Sequence, residues 1–264
     1  MSNTTSRQFV VRCVLVLLTV FMVRPLQAND TAENGDGQAP RNYALSVALG
    51  YVSISGNAES RSGNLKANWK WTEDKWTWSA GGSFVFNDVT DLETGEETRS
   101  TEKYQLSFKT GYAMWEKGGL FGNMSWLKNE PAGIRENLSL ATGFSRAFMA
   151  DGPLKLDGGL GLEGFRETKI QPEGDVQAKR MAAYLQVQMV WKINAHNELK
   201  FENESRVSLS NSEDFRLASN VAYHSSINSR FAVEIAYEHQ YKNLPVVGKG
   251  TTDTTTTVNL VYKF

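Results

Sequence analysis

From Tyr43 onward, apolar and polar residues alternate in segments of about 9 to 13 residues. A period of two marks a strand with one apolar face, and this length suits a strand tilted across a membrane. The pattern is plain at 65–72. Leu65, Ala67, Trp69 and Trp71 share one face; Lys66, Asn68, Lys70 and Thr72 share the other. It returns with Tyr104, Leu106, Phe108, Tyr112 and Met114 against Lys103, Gln105, Ser107 and Lys109. Met181, Leu185, Val187, Met189 and Trp191 oppose Arg180, Gln186 and Gln188. Phe231, Val233, Ile235 and Tyr237 oppose Ala232, Glu234, Ala236 and Glu238, and the chain ends on Val258, Leu260, Tyr262 and Phe264 against Thr257, Asn259 and Lys263.

The alternation predicts about 12 strands, starting near residues 43, 65, 76, 102, 120, 137, 154, 178, 198, 215, 231 and 253. A soluble sandwich also alternates. Two features favour a barrel instead. The polar face carries charges at mid-strand, as a wet lumen would. The connections also alternate in length. Those at 56–64, 88–101, 129–136, 167–177, 210–214 and 242–252 are mostly long and polar, whereas those at 73–75, 116–119, 149–153, 193–197 and 227–230 are short. Aromatic residues gather near both sets of connections. Trp71, Trp76, Phe148, Tyr223, Phe231 and Phe264 lie by the short ones; Tyr51, Phe86, Tyr104, Trp126, Phe215 and Tyr241 lie by the long ones. Amphipathic rings favour the two membrane interfaces. The expected fold is all-β: a closed, antiparallel, up-and-down transmembrane barrel over 43–264, because bare strand edges cannot face lipid. An even strand number with short periplasmic turns puts both termini in the periplasm.

The N-terminus reads as an export signal over 1–28. Arg7 and Arg12 precede an apolar run of 11 residues, Cys13 to Val23, and Leu26-Gln27-Ala28 offers a cleavage site. Residues 29–42 are polar and acidic, a disordered periplasmic leader. Cys13 is the chain's one cysteine, so a mature chain has neither thiol nor disulfide. Without Arg7, Arg12 and Arg24, 25 basic residues face 29 acidic ones, a net charge of −4 that argues against a nucleic-acid partner.

Candidate chemistry is sparse. Lys66, Lys70, Lys103 and Lys109 lie on the lumen parity of the earlier strands, with Lys155 and Lys192. Glu202, Glu204, Glu234 and Glu238 lie on that of the later ones, with Lys200, Arg206 and Arg216. These groups either line a narrow pore with a transverse field or pair and plug it. His224, Ser226 and Asn228 are the residue types of a barrel-wall lipid hydrolase. A nucleophilic serine needs a base within hydrogen-bond reach, however, and this stretch reads more simply as a turn. The acidic 88–102 segment lacks the ligand spacing of a calcium loop. His196 and His239 offer no metal-ligand spacing. No cofactor is expected.

The segment from Gly50 to Glu59, Gly-Tyr-Val-Ser-Ile-Ser-Gly-Asn-Ala-Glu, resembles the opening of a bacterial outer-membrane family of unknown function whose members are named as salt-induced outer membrane proteins. Ala132-Gly133-Ile134-Arg135 is similar to that family's Ala-Gly-Ile loop. Thr142-Gly143-Phe144 and Gly158-Gly159-Leu160-Gly161 are similar to its glycine-rich strands. The resemblance covers roughly 44–264 and implies location and fold, not substrate. Val258 to Phe264 is similar to the C-terminal signature read by the barrel assembly machinery. The expectation is a small outer-membrane channel or envelope-integrity protein without catalysis, surrounded by lipid and lipopolysaccharide, with small solutes or ions as candidate cargo. The competing class is an outer-membrane enzyme acting on lipid or lipopolysaccharide.

Overall fold

The computed structural model describes residues 42–54, 59–91, 94, 96–171, 173–246 and 248–264. The export signal expected at 1–28 and nearly all of the leader lie outside them. Twelve strands form one sheet: β1 (Tyr43–Ile54), β2 (Glu59–Glu73), β3 (Trp76–Thr90), β4 (Glu97–Trp115), β5 (Gly118–Asn129), β6 (Ile134–Met149), β7 (Leu154–Lys169), β8 (Val176–Lys192), β9 (Asn197–Ser208), β10 (Phe215–Ser226), β11 (Phe231–Lys242) and β12 (Thr252–Lys263). Each pairs antiparallel with its sequence neighbours, and β12 returns to β1 to close the barrel. At the seam Ser46–Leu49 faces Leu260–Lys263, and the Phe264 amide donates to the Leu45 carbonyl at 3.0 Å.

Pleating sends alternate side chains in and out. Large apolar residues on the outer parity are exposed: Leu106 by 54%, Leu160 by 65% and Leu185 by 44%. Charged and amide side chains on the other parity point into the lumen. An apolar outside around a polar inside suits lipid, not water. Aromatic rings touch one another near both ends. Trp71, Trp78, Trp76 and Tyr112 form a chain near the two-residue β2–β3 connection, with centroids 4.7–5.5 Å apart; Phe231, Tyr262 and Phe264 do so at the seam. Phe84, Phe86 and Tyr104 stack at the opposite end.

Two expected strand starts move. β2 begins at Glu59, not near 65, and β4 at Glu97, not near 102. These extensions have no apolar face, so alternation does not mark them; backbone pairing of Glu59 and Glu97 with Thr90 does. The long and short connections are therefore less unequal than expected. That at 130–133 spans four residues, as do those at 150–153 and 193–196, while 243–251 spans nine.

The glycine-rich strands have a specific use. Gly143 and Gly161 are paired across β6 and β7, and a Cβ at either would lie 2.1–2.2 Å from the other strand's backbone oxygen. This close-packed floor leaves room for Phe121 and Tyr184, whose rings fold into the lumen 5.9 Å apart.

Candidate functional site

The lumen is crossed by ion pairs. Lys103 on β4 reaches Glu238 on β11, seven positions along the chain order of strands, with Nζ 2.7 Å from Oε2. Lys66 on β2 joins them at 3.7 Å from Glu238 and 3.6 Å from Glu234. Glu234 also receives a hydrogen bond from Asn259 at 2.9 Å and lies 3.0 Å from His224 Nε2.

A second group centres on Arg206 of β9. Its Nε donates to Glu163 at 2.6 Å and its Nη2 to Glu204 at 2.7 Å, while Lys109 approaches Glu204 from β4 at 3.5 Å. The guanidinium lies over the Tyr184 ring, 5.3 Å from its centroid. A third group centres on Arg216. Its fork donates to both Glu167 oxygens at 2.8 and 3.3 Å and to Asp214 at 3.0 Å, and it lies 4.7 Å above the Phe165 ring. Lys242 and Lys169 approach the same Glu167 carboxylate at 3.7 and 3.6 Å, and Arg180 pairs with Asp214.

Of the ten candidate lumen residues, eight enter these groups: Lys66, Lys103, Lys109, Glu204, Arg206, Arg216, Glu234 and Glu238. Lys70 and Glu202 share their parity but make no ion pair among the described residues. Between the open alternatives of lined pore and paired plug, the geometry combines both. A cavity of about 290 Å³ remains among the groups. Its lining takes Gln105, Ser107, Lys109, Asn123 and Ser139 from β4, β5 and β6, and Glu163, Glu204, Arg206 and Arg216 from β7, β9 and β10.

Sequence reasoning missed Glu163, Glu167, Asp214, Tyr184 and Lys242. Glu163 and Glu167 carried a signal, since both lie on the lumen parity of β7; each is 1% exposed. Tyr184 lies on the polar parity of β8, opposite to Leu185.

The mouth at the long-connection end is spanned by chain. The 243–251 connection, between β11 and β12, meets the 130–133 connection between β5 and β6, half the ring away. Val246 is 6% exposed, and a Cβ on Gly133 would lie 3.1 Å from its Cβ and both methyls. Gly133 has φ +75°, a conformation glycine adopts without strain. A cavity of about 150 Å³ lies beneath, bounded by Pro131, Val246, Lys249, Lys103 and Glu238.

The hydrolase residue types are engaged elsewhere. His224 faces Glu234, Ser226 accepts from Lys263 at 3.3 Å, and Asn228 accepts the Arg230 and Phe231 amides at 2.9 and 2.8 Å. In the acidic 88–102 segment, Asp88 and Glu102 both meet Arg99, and much of the segment is strand.

The chain is similar to the uncharacterized protein YdiY of Escherichia coli (strain K12), at 26% identity over 236 residues, covering 88% of this chain and 87% of that one. Among solved structures, an outer membrane channel from Pseudomonas putida F1 aligns at 11% identity over 91% of this chain and 98% of that chain, with a TM-score of 0.48. The translocator domain of autotransporter NalP from Neisseria meningitidis aligns at 12% identity, 84% and 86% coverage and a TM-score of 0.46. Likenesses that distant say nothing of function. The family model described as protein of unknown function, DUF481, matches residues 47–264, and the chain belongs to that family.

Proposed function

We propose that the protein is a narrow passive channel of the bacterial outer membrane, with both termini periplasmic and the long connections outside. The observation that carries this reading is the paired lumen. Lys103–Glu238 and Lys109–Glu204 cross it without filling it, and a polar chamber remains between them. Fixed charges of both signs impose a transverse field on a small polar solute or ion passing through. The apolar outer wall supports the membrane setting. Outer-membrane lipid and lipopolysaccharide surround it, and the barrel assembly machinery receives β12. A part in the salt response belongs to the same reading, and protein levels measured after a salt upshift check it.

The test is conductance of the refolded protein in planar bilayers. Small, discrete steps are expected, larger in the Lys103→Ser/Glu238→Ser double variant. No steps from either protein would make the barrel a sealed structural element.

A further inference from the structure

The outer wall of β9 and β10 breaks the apolar pattern in mid-strand. On β9 the outward residues run Leu199, Phe201, Asn203, Ser205, Val207, and on β10 Leu217, Ser219, Val221, Tyr223. Asn203 is paired with Ser219 on one side and Val187 on the other; Ser205 lies between Leu217 and Leu185. A polar row therefore runs outward from Asn203 through Ser219 to His239 of β11, with Val187, Leu185, Leu217 and Val221 flanking its β9–β10 end. That end is tied together: Asn203 Nδ2 donates to Ser219 Oγ at 2.8 Å, and Ser205 Oγ donates to Asn203 Oδ1 at 3.0 Å.

These bonds leave capacity unused. A carboxamide offers two donor hydrogens and two acceptor positions, and one of each is taken. Hydrocarbon supplies no partner for the remainder, and a polar group left unsatisfied there costs free energy. Leucine or valine at 203 would remove that cost, so the row fits a role that lipid contact does not explain.

We propose that this face docks a second copy of the chain. A twofold axis along the membrane normal brings the same patch of each copy together at the same depth. A carboxamide is complementary to itself, because the free N–H of one faces the free acceptor position of the other. Asn203 of each copy thus satisfies its counterpart, and the exposed Val207 and Val221 pack around the pair. This rests on the wall facing lipid, and not on conduction.

Thiol cross-linking in membranes tests it. With Cys13→Ser as background, Ser205→Cys and Ser219→Cys should give a cross-linked dimer with a bifunctional maleimide. Leu140→Cys, exposed on the wall of β6, should give several-fold less. Asn203→Leu should shift the native mass in mild detergent from dimer to monomer, and Asn203→Gln should restore part of the dimer. Protein absent from the membrane fraction would overturn the lipid-facing wall and the interface with it. Membrane-inserted protein with equal or no cross-linking at all three sites, or an unchanged mass in Asn203→Leu, would overturn the interface alone.

Discussion

Lys103 and Glu238 meet at 2.7 Å although they stand on strands in different arcs of the barrel wall. The contact divides the lumen, and Lys66 shares the same carboxylate. Glu238→Gln leaves two ammonium groups without that counter-charge. The variant should become more anion-selective, read as a shift of reversal potential under a salt gradient. Removing one partner of a fully buried pair costs ~3–5 kcal/mol. The loss here should fall below that, because the Glu238 side chain retains 21% exposure. Lys103→Gln/Glu238→Gln should recover part of the stability and lose the anion preference.

The contact of Val246 with Gly133 holds the 243–251 connection across the mouth. Burial of one valine side chain stabilises by roughly 1.5 kcal/mol or more. Val246→Asp replaces that with a charge seeking water, so the connection should detach. Trypsin cleavage after Lys249 should accelerate, and channel openings should lengthen. The denaturation midpoint of the barrel should fall only slightly, by no more than this one contact contributes, since no strand pairing is altered. Unchanged cleavage would mean that the contact does not close the mouth.

Asp214 gives a pH dependence outside the strands. Burial disfavours its charged form, but the hydrogen bond and charge of Arg216, then those of Arg180, outweigh it and hold the carboxyl below the ordinary aspartate range. The folded pKa is thus lower than the unfolded one, near 3.9. The stabilisation is full above the unfolded value and is lost as pH falls through the folded one. Urea midpoints should therefore drop on acidification below about pH 4. Asp214→Asn should start lower at neutral pH and show a shallower drop.

Faces were legible in the sequence wherever one side of a strand is apolar. Lys66, Lys103, Glu234 and Glu238 fall on the lumen side by parity alone, but opposite signs in early and late strands left a lined pore and a paired plug equally open. Which cation meets which carboxylate was not legible, because that depends on how far each strand is staggered against its neighbour. Glu163 and Glu167 were hidden differently. They sit in a strand whose glycines weaken the alternation, so β7 read as a glycine-rich segment more than as a charged wall. Val246 lies in a connection, where no periodicity exists to assign a direction. The polar row at Asn203 was missed because Ser and Asn interrupt the outward series of β9, leaving no clean alternation there to notice.

The wall itself can be tested with neighbours on one strand. Leu106 is on the outer parity of β4 and 54% exposed. Gln105, one residue earlier, lines the chamber. An Arg at the lipid midplane of a barrel costs roughly 2–4 kcal/mol, and much less near the interfaces. Leu106→Arg should therefore lower the unfolding free energy in vesicles by that order. Gln105→Arg adds a cation to a lumen where Glu202 makes no ion pair among the described residues, so its folding penalty should be small. It should instead alter ion selectivity. Urea titration of both variants in lipid vesicles makes the comparison. Equal destabilisation would mean that the two positions do not face different solvents, and the lipid-facing wall would fall with that result. A large effect confined to Leu106→Arg fits a barrel whose outside, unlike its inside, tolerates no charge.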